Sequence, residues 1–89
     1  MGASKSLRFG DLSFKYTKSS KPKMGLIVSK RYGNAIERNL FKRRCRSAFK
    51  SIVVDNNMDC VVVVRPNKPD LSFRAIQESF SSMYDKFSD

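Results

Sequence analysis

The alternation of apolar and polar positions predicts three strands in the first third of the chain. Residues 12–17 alternate between apolar or aromatic and polar side chains, which is typical of a strand with one buried face. A short strand over residues 7–9 is expected to precede it across a Gly-Asp break. After a basic, proline-containing loop, the apolar residues 24–29 predict a further strand. An antiparallel pair formed by the second and third of these strands is the simplest arrangement.

The pattern changes to a helical period at residue 35, and it predicts a helix over residues 35–53. The predicted core stripe consists of Phe41, Cys45, Ala48, Phe49 and Ile52. The arc beside this stripe is polar and cationic, and it consists of Asn39, Lys42, Arg43, Arg46 and Lys50. Asn34 is the expected N-cap, and Glu37 three residues later would complete a capping box.

The second half of the chain predicts one strand and one helix. The β-branched run at residues 60–65 indicates a central strand buried on both faces. Residues 72–87 predict a terminal helix, capped by Asp70 or Ser72. The apolar side of this helix consists of Ile76, Phe80, Met83, Tyr84 and Phe87. The order β(β)βαβα predicts an α/β two-layer sandwich that forms a single domain over residues 1–89.

The charge distribution indicates a polyanionic partner. The chain has 18 Lys and Arg against 8 Asp and Glu, a net charge of +10, and the excess lies in the first 50 residues. The cations between residues 30 and 50 are Lys30, Arg31, Arg38, Lys42, Arg43, Arg44, Arg46 and Lys50. Like charges four residues apart on a helix repel one another unless an anion neutralises them, and phosphates are such anions.

Residue types that most enzymes use are scarce. The sequence contains no histidine, which argues against most metal-hydrolase and Ser-His or Cys-His sites. Cys45 and Cys60 lie 15 residues apart without a CxxC spacing, so buried reduced thiols are the simplest interpretation. No apolar stretch approaches the length of a signal peptide or a membrane span, and a cytoplasmic protein is expected.

Residues 28–49, VSKRYGNAIERNLFKRRCRSAF, resemble the signature of the bacterial ribonuclease P protein subunit. That signature runs approximately as Ser-Lys, two residues, Gly, one, Ala, two, Arg-Asn, two, Lys-Arg, two, Arg. The positions that match in register are Ser29, Lys30, Gly33, Ala35, Arg38, Asn39, Lys42, Arg43 and Arg46. The residue after Asn39 is commonly Arg in the family and is Leu40 here, so one RNA contact would be lost or replaced by an apolar one.

The resemblance implies a subunit of a tRNA-processing ribonucleoprotein. In this family the RNA subunit removes the 5′ leader of precursor tRNA with bound Mg²⁺, and the protein assists binding and cleavage. The implied partners are the ribonuclease P RNA, in a 1:1 complex, and precursor tRNA. The protein is expected to contain no catalytic residue and to bind no cofactor or metal itself. The implied RNA-binding residues are Lys30, Arg31, Gly33, Arg38, Asn39, Lys42, Arg43, Arg46 and Lys50.

The family also holds the single-stranded leader in a cleft between its sheet and a helix. Phe14, Tyr16 and Tyr32 are the aromatic candidates for that contact, although core packing is the other interpretation of Phe14 and Tyr16. The implied fold joins neighbouring parallel strands by a rare left-handed crossover through the basic helix. The N-terminal helix that usually precedes the first strand of the family is expected to be absent, since the first predicted strand begins almost at once.

Two other functions fit parts of the same pattern. A structural RNA-binding protein of ribosomal type would use the same basic helix on double-stranded RNA. An autonomous nuclease would need its acids, Glu37, Asp55 and Asp59, to converge on a metal, yet they are scattered along the sequence.

Overall fold

The computed structural model describes residues 5–87 as one mixed sheet with two helices. The strands are β1 (Lys5–Phe9), β2 (Leu12–Lys18), β3 (Lys23–Leu26) and β4 (Cys60–Pro66). The helices are α1 (Ala35–Phe49), which continues into a π-helical turn at Lys50–Val54, and α2 (Phe73–Phe87). The elements confirm the predicted order. The expected absence of an N-terminal helix concerns residues that lie outside the described part of the chain.

The sheet has the strand order β1-β2-β4-β3, which corrects the predicted pairing of β2 with β3. β2 pairs antiparallel with β4, and β3 pairs parallel with the opposite edge of β4. An internal strand of four consecutive valines can contribute hydrogen bonds and apolar contacts to a neighbour on each side, so it separates the two strands that are consecutive in sequence. Helix α1 therefore connects adjacent parallel strands, as the resemblance implied; the left-handed sense of that crossover stays a prediction.

Within the part of the chain that the structure describes, only one face of the sheet is covered, so the prediction that β4 is buried on both faces is wrong. Cys60, Val62 and Val64 are fully buried beneath the helices, whereas Val61 and Val63 are only half-buried on the other face. We call that second side the open face. The two-layer arrangement gives β4 an alternating environment despite its uniform sequence, because successive side chains of a strand point to opposite faces.

The first turn of α1 is capped as the sequence predicts. The Asn34 side-chain oxygen accepts a hydrogen bond from the Glu37 backbone N–H, and a Glu37 carboxylate oxygen accepts one from the Asn34 N–H, each at 2.9 Å. This capping box satisfies two amides that the helix leaves without a partner.

The last turn of α1 differs from the predicted stripe. Phe41, Cys45, Ala48 and Phe49 are buried as expected, but Ile52 is half-buried and Val53 is fully buried. The Asp55 N–H donates to the Lys50 carbonyl, five residues back. This wider turn adds a residue to the helical repeat and so moves the inward position from Ile52 to Val53.

Helix α2 closes the core over β1 and β2. Its cap is Ser72, whose hydroxyl accepts from the Ala75 N–H at 3.1 Å. Phe80 lies edge-on to Phe14 with ring centroids 5.0 Å apart, and Phe87 stacks on Tyr16 at 4.1 Å. Aromatic side chains of β2 thus form part of the contact between the sheet and α2, and Phe9 of β1 adds an edge-on contact with Phe87.

Candidate RNA-binding surface

The outer side of α1 carries cations that make no hydrogen bond or ion pair within the described residues. Within residues 5–87, the side chains of Lys42, Arg43 and Arg46 form no hydrogen bond or ion pair with another residue, and neither do those of Lys30 and Arg31 before the helix. Asn39 is exposed on the same helix, beside these cations in the predicted arc. Folding leaves all of these groups available for an external ligand.

Three other cations of this region are partly or wholly used inside the protein. A guanidinium nitrogen of Arg38 donates to the Gly33 carbonyl at 3.0 Å, and Lys50 lies 3.9 Å from the Asp55 carboxylate in an exposed pair. Arg44 donates to the Leu71 carbonyl at 2.9 Å and so fastens the segment before α2 to α1. Arg38 and Lys50 keep further donors for a ligand, whereas Arg44 has a structural contact that explains its place outside the predicted RNA-binding set.

Gly33 has a local structural reason to be glycine. A Cβ at this position would lie 2.5 Å from a Glu37 carboxylate oxygen. This is the oxygen that accepts the hydrogen bond from the Asn34 N–H in the capping box. Any larger residue would push the Glu37 side chain away from the Asn34 amide. Gly33 therefore allows the turn that starts α1, while its predicted contact with RNA stays a prediction.

The aromatic residues predicted to hold the leader lie on the covered face. Phe14 is 1% exposed and belongs to the core, so the prediction that it stacks on bases is wrong and the packing interpretation is confirmed. Tyr32 is 9% exposed, its ring lies against Phe41, and its hydroxyl accepts from the Leu71 N–H at 3.2 Å. Burial raises the pKa of the Tyr32 hydroxyl above its ordinary value. These contacts give Tyr32 a structural role, while its predicted contact with the leader stays a prediction.

Tyr16 is the third of these candidates and is only half-buried. One face of its ring is covered by Phe87 in a nearly parallel stack, with an interplanar angle of 5°. Burial raises the pKa of its hydroxyl, with a smaller contribution from Cys60. Tyr16 is thus a packing residue whose inner face offers no platform for a base.

The open face carries a basic surface that the sequence interpretation missed. A shallow depression of about 430 Å³ lies on it, and its walls include Arg8, Lys15, Arg65, Ile27 and Val63. No acidic residue lines this depression, and the three cations form no ion pair with another described residue. The available signal was strand alternation, because the residues between the buried positions of β2 must point to the opposite face.

The two cysteines, Cys45 and Cys60, are neutral thiols in the core. Burial raises the pKa of Cys45 to about 12 and that of Cys60 to about 11, from an ordinary value of 9.0. Both cysteines are free and buried. Among residues 5–87 no cluster of Cys, Asp or Glu is arranged to hold a metal ion. No helix in that range is long and apolar enough to cross a membrane.

The family model for Ribonuclease P matches residues 3–88 of this chain. The chain belongs to the ribonuclease P protein family. The resemblance carried by residues 28–49 is therefore confirmed. Over 66 residues the chain is 41% identical to the ribonuclease P protein component of Shouchella clausii, which covers 72% of this chain and 54% of that protein. A second ribonuclease P protein component, from Streptococcus thermophilus, is 46% identical over 55 residues, or 61% of this chain and 50% of that protein.

Solved structures of the ribonuclease P protein family share the fold. The Staphylococcus aureus RNase P protein superposes with a TM-score of 0.74 at 25% identity, over 97% of this chain and 82% of that one. The Thermotoga maritima RNase P protein gives a TM-score of 0.78 at 21% identity, over 94% and 84% of the two chains. These superpositions confirm the predicted α/β fold. The chain spans about half the length of the curated relatives that it matches.

Proposed function

We propose that this chain acts as the protein component of ribonuclease P, and that it binds the catalytic RNA and the 5′ leader of precursor tRNA during tRNA 5′ maturation. The observation that carries the proposal is the free cationic side of α1, built from residues of the family signature. These side chains are costly to hold close together without an anion, and nothing in the described part of the fold neutralises them.

Helix α1 is the surface for the ribonuclease P RNA. Lys42, Arg43 and Arg46 neutralise phosphates, and Asn39 donates or accepts a hydrogen bond beside them. Each phosphate contact releases condensed counterions, so binding weakens as salt rises. The remaining residues of this surface flank the helix or retain free donors, and they are Lys30, Arg31, Gly33, Arg38 and Lys50.

The leader of precursor tRNA lies on the open face. Arg8, Lys15 and Arg65 bind its phosphates, while Val63 and Ile27 provide an apolar strip for sugars and bases. We propose this surface in place of an aromatic platform, since the Phe14 and Tyr32 side chains are buried in the core. Contacts with phosphates and apolar contacts with bases do not distinguish one base from another, so this surface suits leaders of varied sequence.

The chemistry is assigned to the RNA subunit, which supplies the bound Mg²⁺ in the cytoplasmic 1:1 complex. The proposed RNA surface consists mainly of Lys and Arg side chains, whose positive charges and N–H donors bind and position phosphates. The role of the protein is to hold the leader and the RNA subunit in one complex. That role raises the effective concentration of substrate at the catalytic RNA.

Precursor-tRNA cleavage at low magnesium tests the proposal. Three samples are compared: ribonuclease P RNA alone, this protein alone, and the two together. We expect cleavage only in the mixture, because phosphate neutralisation by the protein substitutes for part of the high magnesium that the RNA alone requires. A mixture that is no faster than RNA alone would contradict the assisting role. Failure to bind that RNA would instead favour an RNA-binding protein of ribosomal type.

A further inference from the structure

A second cationic cleft lies at the edge of the sheet, between β3 and α1. Its volume is about 430 Å³. The residues that line it are Pro22, Lys23, Met24, Leu26, Lys42, Arg46 and Phe49. Lys42 and Arg46 come from the signature helix, whereas Lys23 comes from the edge strand and lies outside that signature. Tertiary packing brings these two parts of the chain together.

Among the residues that the structure describes, the rim of the cleft carries three positive charges and no acid. Lys23, Lys42 and Arg46 make no side-chain hydrogen bond or ion pair with any other residue of the described range. The free energy of such a cluster falls when an anion enters it. We therefore expect an anionic group of a ligand to bind between these three side chains.

The floor of the cleft is apolar. Met24 and Leu26 are half-buried and Phe49 is buried, and all three pack on the core from this side. An apolar floor below a cationic rim matches a nucleotide, whose sugar and base have apolar faces and whose phosphate is an anion. The volume lies in the range of roughly 300–1,000 Å³ that is typical of clefts for small ligands, so it suits one nucleotide unit.

Lys23 occupies the place where this cleft meets the open face. The strand register aligns Lys23 with Val61 and Gly25 with Val63, and both valines belong to the open face. Lys23 also lines the cleft that contains Lys42 and Arg46. A strand of RNA that leaves the open face over the edge of β3 would therefore pass Lys23 before it reached α1.

We propose that the cleft between β3 and α1 holds one phosphodiester-linked nucleotide of RNA, and that Lys23 binds its phosphate together with Lys42 and Arg46. This inference rests on the proposed function, because it extends the surface of α1 around the edge of the sheet. The RNA strand is supplied either by the ribonuclease P RNA or by precursor tRNA. The two sources share the same chemistry, and the cross-linking experiment below separates them.

The first test compares Lys23→Gln with Lys21→Gln. Both side chains are exposed, both lie near the same turn, and each substitution removes one positive charge, but Lys21 does not line the cleft. Affinity is measured for ribonuclease P RNA, and for precursor tRNA in the reconstituted complex, across a series of KCl concentrations. We expect Lys23→Gln to weaken one of these affinities by about five- to tenfold and to reduce its salt slope by about 1. Lys21→Gln is expected to change neither by more than about twofold.

The second test places a photo-cross-linker in the cleft. The cross-linker is attached to the cysteine of the Pro22→Cys variant, because Pro22 lines the cleft. A thiol reagent will select that cysteine, since Cys45 and Cys60 are fully buried and burial raises their pKa values to about 12 and 11. A cross-link to ribonuclease P RNA in the binary complex supports that RNA as the source. A cross-link that appears only after precursor tRNA is added supports the other source. Gln77→Cys is the control. Its cysteine lies on the exposed side of α2, outside the cleft, and it should take the cross-linker without cross-linking to RNA.

The outcomes separate this inference from the proposed function. Wild-type binding with no cross-link from the cleft, and equal affinities and salt slopes for Lys23→Gln and Lys21→Gln, would overturn the cleft and leave the surface of α1 intact. Absence of binding by the wild-type protein would instead overturn the proposed function on which the cleft depends.

Discussion

Helices α1 and α2 are alike on their inner sides and different on their outer sides. Each has 15 residues, and each buries four of them against the same face of the sheet. The sequence of α1, however, has five basic residues and one acid, whereas α2 has two of each. The exposed pair in α2, Arg74 and Glu78, is joined at 3.3 Å, while Lys42, Arg43 and Arg46 of α1 have no internal partner in the described range.

The difference separates what the fold requires from what a ligand requires. An amphipathic helix in this layer needs its apolar stripe and its cap, and α2 meets both needs with a balanced surface charge. Lys42, Arg43 and Arg46 of α1 make no internal hydrogen bond or ion pair in the described range, and they repel one another. Under the proposed function an external anion accounts for their placement, and the comparison with α2 is the internal control.

The largest effect is expected from the inner sides, where the two helices should behave alike. Phe41→Ala in α1 and Phe80→Ala in α2 each remove a ring that is at most 1% exposed. We expect each to lower the free energy of unfolding by about 3–5 kcal/mol, through lost transfer free energy and the cavity left behind. Urea denaturation followed by circular dichroism measures this loss. Where alanine prevents folding, Phe41→Leu and Phe80→Leu allow the same comparison, and a loss confined to one helix would contradict the equivalence.

The next largest effect should distinguish the outer sides. Lys42→Gln/Arg46→Gln in α1 and Arg74→Gln/Lys86→Gln in α2 remove the same number of charges. We expect the α1 variant to bind ribonuclease P RNA about 30- to 100-fold more weakly, with a salt slope lower by about 1.5 to 2. The α2 variant should change affinity by less than about threefold, since its charges are outside the RNA surface. Equal losses would show that net charge alone governs binding.

A smaller, pH-dependent effect is expected from the buried thiol of α1. Burial raises the pKa of Cys45 from 9.0 to about 12, so above pH 9 the unfolded chain loses this proton while the folded protein keeps it. The unfolded state then binds fewer protons, and the free energy of unfolding falls as pH rises from 9 toward 12, by up to about 1.4 kcal/mol per pH unit. Thermal unfolding of Cys45→Ala should show a lower melting temperature overall and a shallower decline above pH 9. Met83→Leu in α2 is the matched core variant and should keep the wild-type slope.

The smallest effect concerns the caps. Asn34→Ala removes the side-chain oxygen that accepts from the Glu37 N–H, and Ser72→Ala removes the hydroxyl that accepts from the Ala75 N–H. Each should lower the free energy of unfolding by about 1 kcal/mol, because in each case one amide of the first turn loses its side-chain acceptor. The exposed Ser81→Ala in α2 serves as a control and should stay within about 0.5 kcal/mol of wild type. No loss at Asn34 would contradict the capping box.

The sequence by itself determined the local features of this protein. Helical spacing placed Phe41 and Cys45 on the inner side of α1, and the Asn34–Glu37 spacing placed its first turn. These features depend on contacts within about four residues, so a period and a cap specify them. The signature in residues 28–49 identified the family. It lies in one continuous segment, a turn followed by a helix, so its spacing can be recognised without knowing which segments become neighbours.

Tertiary structure decided everything that depends on which segments become neighbours. It put β4 between β2 and β3, buried Phe14 and Tyr32 beneath the helices, and left the basic open face free. It also gave Arg44 an internal partner in the Leu71 carbonyl and brought Lys23 beside the signature helix. Alternation shows that a strand has two faces, but which face is covered depends on where both helices pack. That choice rests on long-range contacts, which no pattern within a single segment contains.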